Sequence, residues 1–464
     1  TPRDASAGAM GSTGQTGGSL DLNFYELSAR KNTTIMSGIA NYHLSANLEK
    51  CIYRSGSRYG IVNTGAKANV GDGAVSLSNV RVKLDRREEF LQAFDEAWRI
   101  QRDWFYDANM HGVDWGAMRK KYRSFVPFCG NRSDLNYLIG EMIGELNIGH
   151  TYVSGGDIKS DAKRTPTGLL GVNFSVSQGE RFYRFAHVVP NVPGDPSQRS
   201  PLDEPGCPIS EGDYLIAIDG QPVAAGSNVF AFLQHKANRL VTITYNDRPS
   251  SDGASTHRLR TISSERSIRY REWVENNKAY VDKMTGGQVG YVHIPGMMES
   301  GLVEFAKYWY PQFYKKGFIV DERYNGGGFT GDMIIDRLER KAWALTKPRE
   351  GGAVRNPERA FLGPWVVIVN EDTGSNGEYF AEAIKVKKMA KVIGMRTWGG
   401  AVGIEPHQDI VDGGVVTPPQ FGLYGFDNRW LIEGRGVEPD IEVQNMPGDV
   451  LRGKDAQLDA GIKY

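Results

Sequence analysis

At 464 residues, with 40% hydrophobic and 24% charged side chains, the chain exceeds what one core usually holds, and at roughly 150 residues per domain about three domains are expected. Lys plus Arg and Asp plus Glu both number 55, so the formal net charge is +0 and no basic excess is available to neutralise phosphates or anionic lipid. Nucleic acid is therefore not an expected partner. The longest apolar runs, such as Trp365 to Val369, fall well short of the about 20 residues that span a bilayer, so no membrane crossing is expected.

Thr1 to Leu20 is rich in Gly, Ser and Thr, lacks the apolar centre of a signal peptide and reads as a surface loop. Cys51, Cys129 and Cys207 are far apart and odd in number, which suits neither a disulfide framework nor a zinc site, and no cofactor is expected. A cytoplasmic location is expected, a periplasmic one being the alternative if the native start lies elsewhere.

Short β-type runs separated by turns follow at Leu22 to Leu27, Gly38 to Leu44, Lys50 to Arg54, Gly60 to Asn63 and Val80 to Lys83. Residues 1–84 read as the remnant of a β-propeller, too small to close a barrel alone. Residues 85–160 change character. Phe90, Phe94, Trp98, Trp104 and Phe105 recur near helical spacing, and Ser133 can cap a helix with Leu135, Ile139, Met142, Ile143 and Leu146 on one face, which predicts a small helical domain. His150 follows that helix at a loop exit.

Residues 161–265 return to strands. Asp219-Gly220 is a tight-hairpin signal inside the run Ile209 to Val223, and that run resembles the PDZ family. By that resemblance Gly168, Leu169, Leu170 and Gly171 form the loop whose backbone N–H groups hold a peptide's terminal carboxylate; steric need for Gly in a tight turn is the plainer explanation. In residues 266–464 strands at Val289 to His293, Phe318 to Val320, Trp365 to Asn370 and Lys391 to Ile393 alternate with helices around Val303 to Tyr314, from Asp332 and from Asn376. This predicts βαβ units and a largely parallel sheet, whose sites sit at the carboxyl ends of the strands.

Two loops occupy such ends. Asp321 to Gly328 carries three successive glycines, which expose backbone N–H groups and permit close approach, as an oxyanion hole or a plain steric turn requires; without Gly-Lys-Ser/Thr it is not a Walker loop. Asn370 to Glu378 turns from strand into helix at Ser375. A serine there is commonly just an N-cap, yet the same turn exposes a hydroxyl for nucleophilic attack with the Asn376 N–H beside it.

Asp134-Leu135-Asn136-Tyr137 to Gly144-Glu145-Leu146 with His150, Asn325-Gly326-Gly327-Gly328, Asn370-Glu371 to Gly374-Ser375, Arg396 to Gly400 and Gly436-Val437-Glu438-Pro439-Asp440 together resemble the tricorn core protease family. The resemblance implies a multidomain α+β and α/β chain. Its parts would be a partial β-propeller blade, a small helical bundle, a PDZ-like β domain and a crotonase-like α/β serine peptidase domain, with two whole propellers upstream that this sequence lacks. It implies Ser375 as nucleophile, His150 as general base, Gly328 and Asn376 as oxyanion donors, and Glu433 as the acid that orients the base through an intervening serine. That serine position is Gly149 here, leaving a water or Thr151 to bridge. The position that selects a basic P1 side chain is Thr346, so a neutral specificity pocket is expected. The related processing proteases use a Ser-Lys dyad, but the matching place, Trp398-Gly399-Gly400-Ala401, has no lysine. The expected function is cleavage of short unfolded peptides through an acyl-enzyme by a homo-oligomer, a hexamer on the resemblance. The alternatives are a catalytically impaired peptide-binding scaffold using the PDZ domain and, more remotely, a crotonase-type acyl-CoA enzyme.

Overall fold

The computed structural model describes residues 20–158, 164–192, 195–404 and 409–464, so nearly all of the Gly/Ser/Thr-rich start lies outside the described residues. The chain divides into two compact units, one of residues 1–158 with 399–434 and one of residues 159–398 with 435–464.

The first unit begins with the hairpin Leu20–Glu26 and Lys31–Ile39, followed by a four-stranded antiparallel meander of Asn41–Leu44, Lys50–Ser55, Arg58–Asn63 and Ala74–Val75. The run read as one strand from Gly38 to Leu44 is broken near Ala40, where Gly38 adopts φ +86° and the chain switches sheets. Val80 to Lys83 is not a strand. It pairs with no strand among the described residues, and Val80 and Val82 remain exposed.

Helices Arg86–Trp104, Trp115–Arg123 and Arg132–Gly144 form the helical core. Phe90, Phe94 and Phe105 are buried as their spacing predicts, but Trp104 points to solvent. The third helix is capped by Asn131, not Ser133. The Asn131 Oδ1 accepts from the Asp134 N–H at 3.0 Å, and Asp134 accepts from the Asn131 N–H at 3.2 Å in a reciprocal capping box. Gly399–Gly434 belongs to this unit because Ile410 and Val416 enter the same core and Gly414–Val416 pairs with Val153–Gly155. A buried Arg132–Asp412 ion pair adds a polar tie between them.

The second unit holds an antiparallel sheet in the order Ser255–Arg260, Leu240–Asn246, Tyr214–Ile218, Tyr183–Val188, Val172–Ser175. Asp219 and Gly220 have φ +50° and +76° and return the chain to Gln221–Pro222, as an Asp-Gly hairpin should. A 20-residue helix, Arg266–Thr285, leads on to a second sheet. There Val289–His293, Gly317–Asp321, Trp365–Val369, Lys391–Gly394 and Ile441–Glu442 lie side by side in sequence order, all parallel. The middle strands are continuous apolar runs because both faces are covered. The helix expected at Val303 to Tyr314 runs earlier, over Glu299–Trp309. Among the described residues no helix is long and apolar enough to cross a membrane.

Candidate active site

The polar residues of interest form two constellations, one in each unit. In the second unit the strand Trp365–Val369 ends at Asn370, turns, and enters helix Asn376–Val386 at Ser375. Ser375 is the N-cap, yet its backbone lies at φ +53° and ψ −123°, a region a non-glycine residue occupies only when its surroundings hold it there. The holding groups are identifiable. The Ser375 N–H donates to the Glu378 carboxylate at 3.2 Å, and the Thr397 hydroxyl donates to the other Glu378 oxygen at 2.5 Å. Thr397 Oγ1 in turn accepts from the Val437 N–H at 2.7 Å. Trp398 donates its N–H to the Thr373 carbonyl at 3.0 Å and packs against Gly374, where a Cβ would meet the indole at 2.9 Å.

The three glycines differ in what surrounds them. A Cβ on Gly326 would meet nothing within 4 Å. On Gly327, at φ +85°, it would lie 2.4 Å from the Ser375 Cβ and 3.0 Å from the Asn376 nitrogen. Gly328, at φ +142°, would place it 1.9 Å from the Met297 carbonyl oxygen. Glycine is thus required at Gly327 because the loop touches the serine, and at Gly328 because it runs beside another backbone. Among the described residues neither the Gly328 nor the Asn376 N–H donates a hydrogen bond. The Asn376 side chain is engaged instead, accepting from the Gly331 N–H at 2.9 Å.

The holding roles of Asn325, Glu322 and Glu378 were not legible in the sequence. All three residues are fully buried. Glu322 is held well above the usual carboxylate range by burial and by the adjacent Asp321 charge.

In the first unit His150 follows the helical core at φ +57°, and its carbonyl accepts from the Thr417 hydroxyl at 2.8 Å. Burial pulls its imidazole below the ordinary value, with the Glu433 charge acting in the opposite direction. Glu433 accepts three backbone N–H groups: Gly149 at 3.0 Å, Ala401 at 2.6 Å and Val402 at 2.9 Å. Glu433 therefore touches residue 149 directly, through the main chain. The Thr151 hydroxyl points elsewhere, to the Ile148 carbonyl at 3.3 Å.

Thr346 lies exposed on the hairpin Ala344–Thr346 and Val354–Asn356. In the Gly168 to Gly171 loop most N–H groups are already engaged. Gly168 donates to the Leu233 carbonyl at 2.9 Å, Leu169 to Ile262 at 2.8 Å, and Gly171 to the Glu265 carboxylate at 2.7 Å. The second Glu265 oxygen is paired with Arg269 at 2.6 Å. An internal carboxylate thus sits where the sequence reading places a peptide's terminal one, and of the four N–H groups only that of Leu170 has no acceptor among the described residues.

Comparison with known proteins agrees with this architecture. Residues 86–144 match the tricorn protease C1 domain, 168–264 the tricorn protease PDZ domain and 288–443 peptidase family S41. The tricorn protease of Thermoplasma acidophilum is 35% identical over 442 residues, which is 94% of this chain and 40% of that protein. Tricorn protease homolog 1 of Streptomyces coelicolor is 32% identical over 95% of this chain and 42% of its own length. A crystal structure of the tricorn protease superposes with a TM-score of 0.86 at 33% identity, covering 96% of this chain and 43% of that one. The chain spans about two fifths of the length of these relatives. With three consecutive domain matches in the order of the folded elements, the chain belongs to the tricorn protease family.

Proposed function

We propose that this chain is a serine peptidase that cleaves short unfolded peptides through an acyl-enzyme. Ser375 attacks the carbonyl, His150 takes the hydroxyl proton and returns it to the leaving amine, and the Gly328 and Asn376 N–H groups bind the oxyanion. Glu433 fixes the loop before the base by accepting the Gly149, Ala401 and Val402 N–H groups. The observation that carries the reading is the strained Ser375 backbone at a strand-to-helix turn, in contact with a glycine loop whose next N–H has no acceptor among the described residues. A neutral pocket that includes Thr346 and self-association into a closed oligomer are part of the same proposal, carried by the resemblance alone. A scaffold that binds peptide ends through Gly168 to Gly171 is disfavoured, because Glu265 already occupies that loop.

The test is Ser375→Ala. Loss of an N-cap costs about 1 kcal/mol, so the variant stays folded. Peptide hydrolysis should fall to background, and hydrolysis near the parental rate would overturn the assignment.

A further inference from the structure

The two donors assigned to the oxyanion stand on different strand exits, and something must fix the distance between them. Asn325 is placed to do so. Its Oδ1 accepts from the Gly327 N–H at 2.8 Å, and its carbonyl accepts from the Gly374 N–H, next to Ser375, at 2.9 Å. Its Nδ2 donates to the Ile294 carbonyl at 2.9 Å and to Glu322 at 2.6 Å. The side chain also lies against helix Asn376–Val386, where a Cβ on Gly377 would stand 3.1 Å from the Asn325 Oδ1.

The consequence for the oxyanion donor follows from peptide planarity. The Gly327 carbonyl accepts from the Met297 N–H at 2.7 Å. In a planar trans peptide the Gly328 N–H points opposite to that carbonyl, so pinning Gly327 at both its N–H and its C=O fixes the direction of the Gly328 N–H.

We propose that Asn325 is a positioning residue for catalysis: it clamps the Gly326–Gly327 peptide, whose neighbour Gly327–Gly328 is held by Met297, to the Gly374–Ser375 turn, so that oxyanion donor and nucleophile are held at a set separation. This rests on the serine peptidase reading.

The test compares the parent chain with Asn325→Ala, which removes the side-chain clamp, and Asn325→Asp, which is the same size and keeps an acceptor for the Gly327 N–H while losing both donations. Steady-state hydrolysis of a fluorogenic peptide gives kcat and KM, and inhibition by a peptide aldehyde, whose serine adduct places an oxyanion in the same hole, gives a second readout. The expected order of kcat is parent, then Asp, then Ala, with a loss of about 10²-fold in Ala, KM within threefold and aldehyde affinity falling in parallel with kcat. A structural role alone would lower the melting temperature without that split. A kcat within threefold of the parent in the variants that fold, or aldehyde binding that does not weaken as kcat falls, overturns the proposal; if Ala does not fold, Asp decides by the same criteria. If the parent hydrolyses no peptide, or Ser375→Ala retains activity, the peptidase reading fails and takes this proposal with it. An active parent with unchanged Asn325 variants removes the positioning role alone.

Discussion

Replacing Gly327 by alanine pushes one methyl group against Ser375, the proposed nucleophile. The new Cβ would sit 2.4 Å from the Ser375 Cβ, about 1 Å inside the 3.4–4 Å of ordinary contact. Either the serine or the glycine loop must move by about that distance. A displacement of 1 Å in a reacting group costs about 10²-fold in rate. Holding alanine at φ +85° costs about 1–2 kcal/mol more, which lowers the melting temperature by a few degrees. The neighbouring glycines supply the controls. Gly326→Ala meets nothing within 4 Å and should keep kcat/KM within twofold of the parent. Gly328→Ala would bring a methyl group to 1.9 Å from the Met297 carbonyl, so it should lose both activity and much of its stability. The assay is peptide hydrolysis with a thermal melt on each variant. A Gly327→Ala enzyme within threefold of the parental kcat/KM would refute the argument that this glycine is required by contact with the serine.

Three further outcomes are expected. His150 lies below its ordinary value near 6.5, and as the base it must be neutral, so the acid limb of kcat/KM should fall below pH 6.5; Glu433→Gln removes the charge that raises it and should move the limb lower still, a rise counting against the pairing. Gly149 is not in a left-handed conformation and its N–H already meets Glu433, so Gly149→Ser should add a second bond to that carboxylate and raise kcat with little change in KM. One such bond is worth about 1.5–3 kcal/mol, a ceiling on the order of 10- to 150-fold, and an unchanged kcat at unchanged stability would exclude a serine bridge. Glu265→Ala frees the Gly171 N–H, so fluorescence anisotropy of an apolar peptide with a free C-terminal carboxylate should show binding to the variant that the parent lacks; equal binding by both would mean that Glu265 does not block the loop.

The parallel strands were legible because each is a short apolar run bounded by turn residues, and both candidate loops follow from lying at strand ends. Ser375 was legible as a strand-to-helix serine, and the structure makes it the N-cap by position and holds its backbone in a strained conformation. The return of Gly399–Gly434 to the first unit was not, because its contribution to the helical core is two residues, Ile410 and Val416, without any periodicity. Nor were Asn325 and Glu378. Polar residue types signal surface by default, and only burial turns these two into the parts that hold the loops. Glu265 reaches Gly171 across 94 positions, a distance at which no local pattern informs.

The central claim is that Ser375 is a nucleophile, and the most direct measurement is mass spectrometry of the folded chain after exposure to a fluorophosphonate. The account predicts a single covalent adduct, mapped to the peptide containing Ser375, absent from Ser375→Ala and formed in step with the loss of peptide hydrolysis. Complete loss of hydrolysis with the adduct on another serine, or hydrolysis that persists after Ser375 is fully labelled, would contradict it.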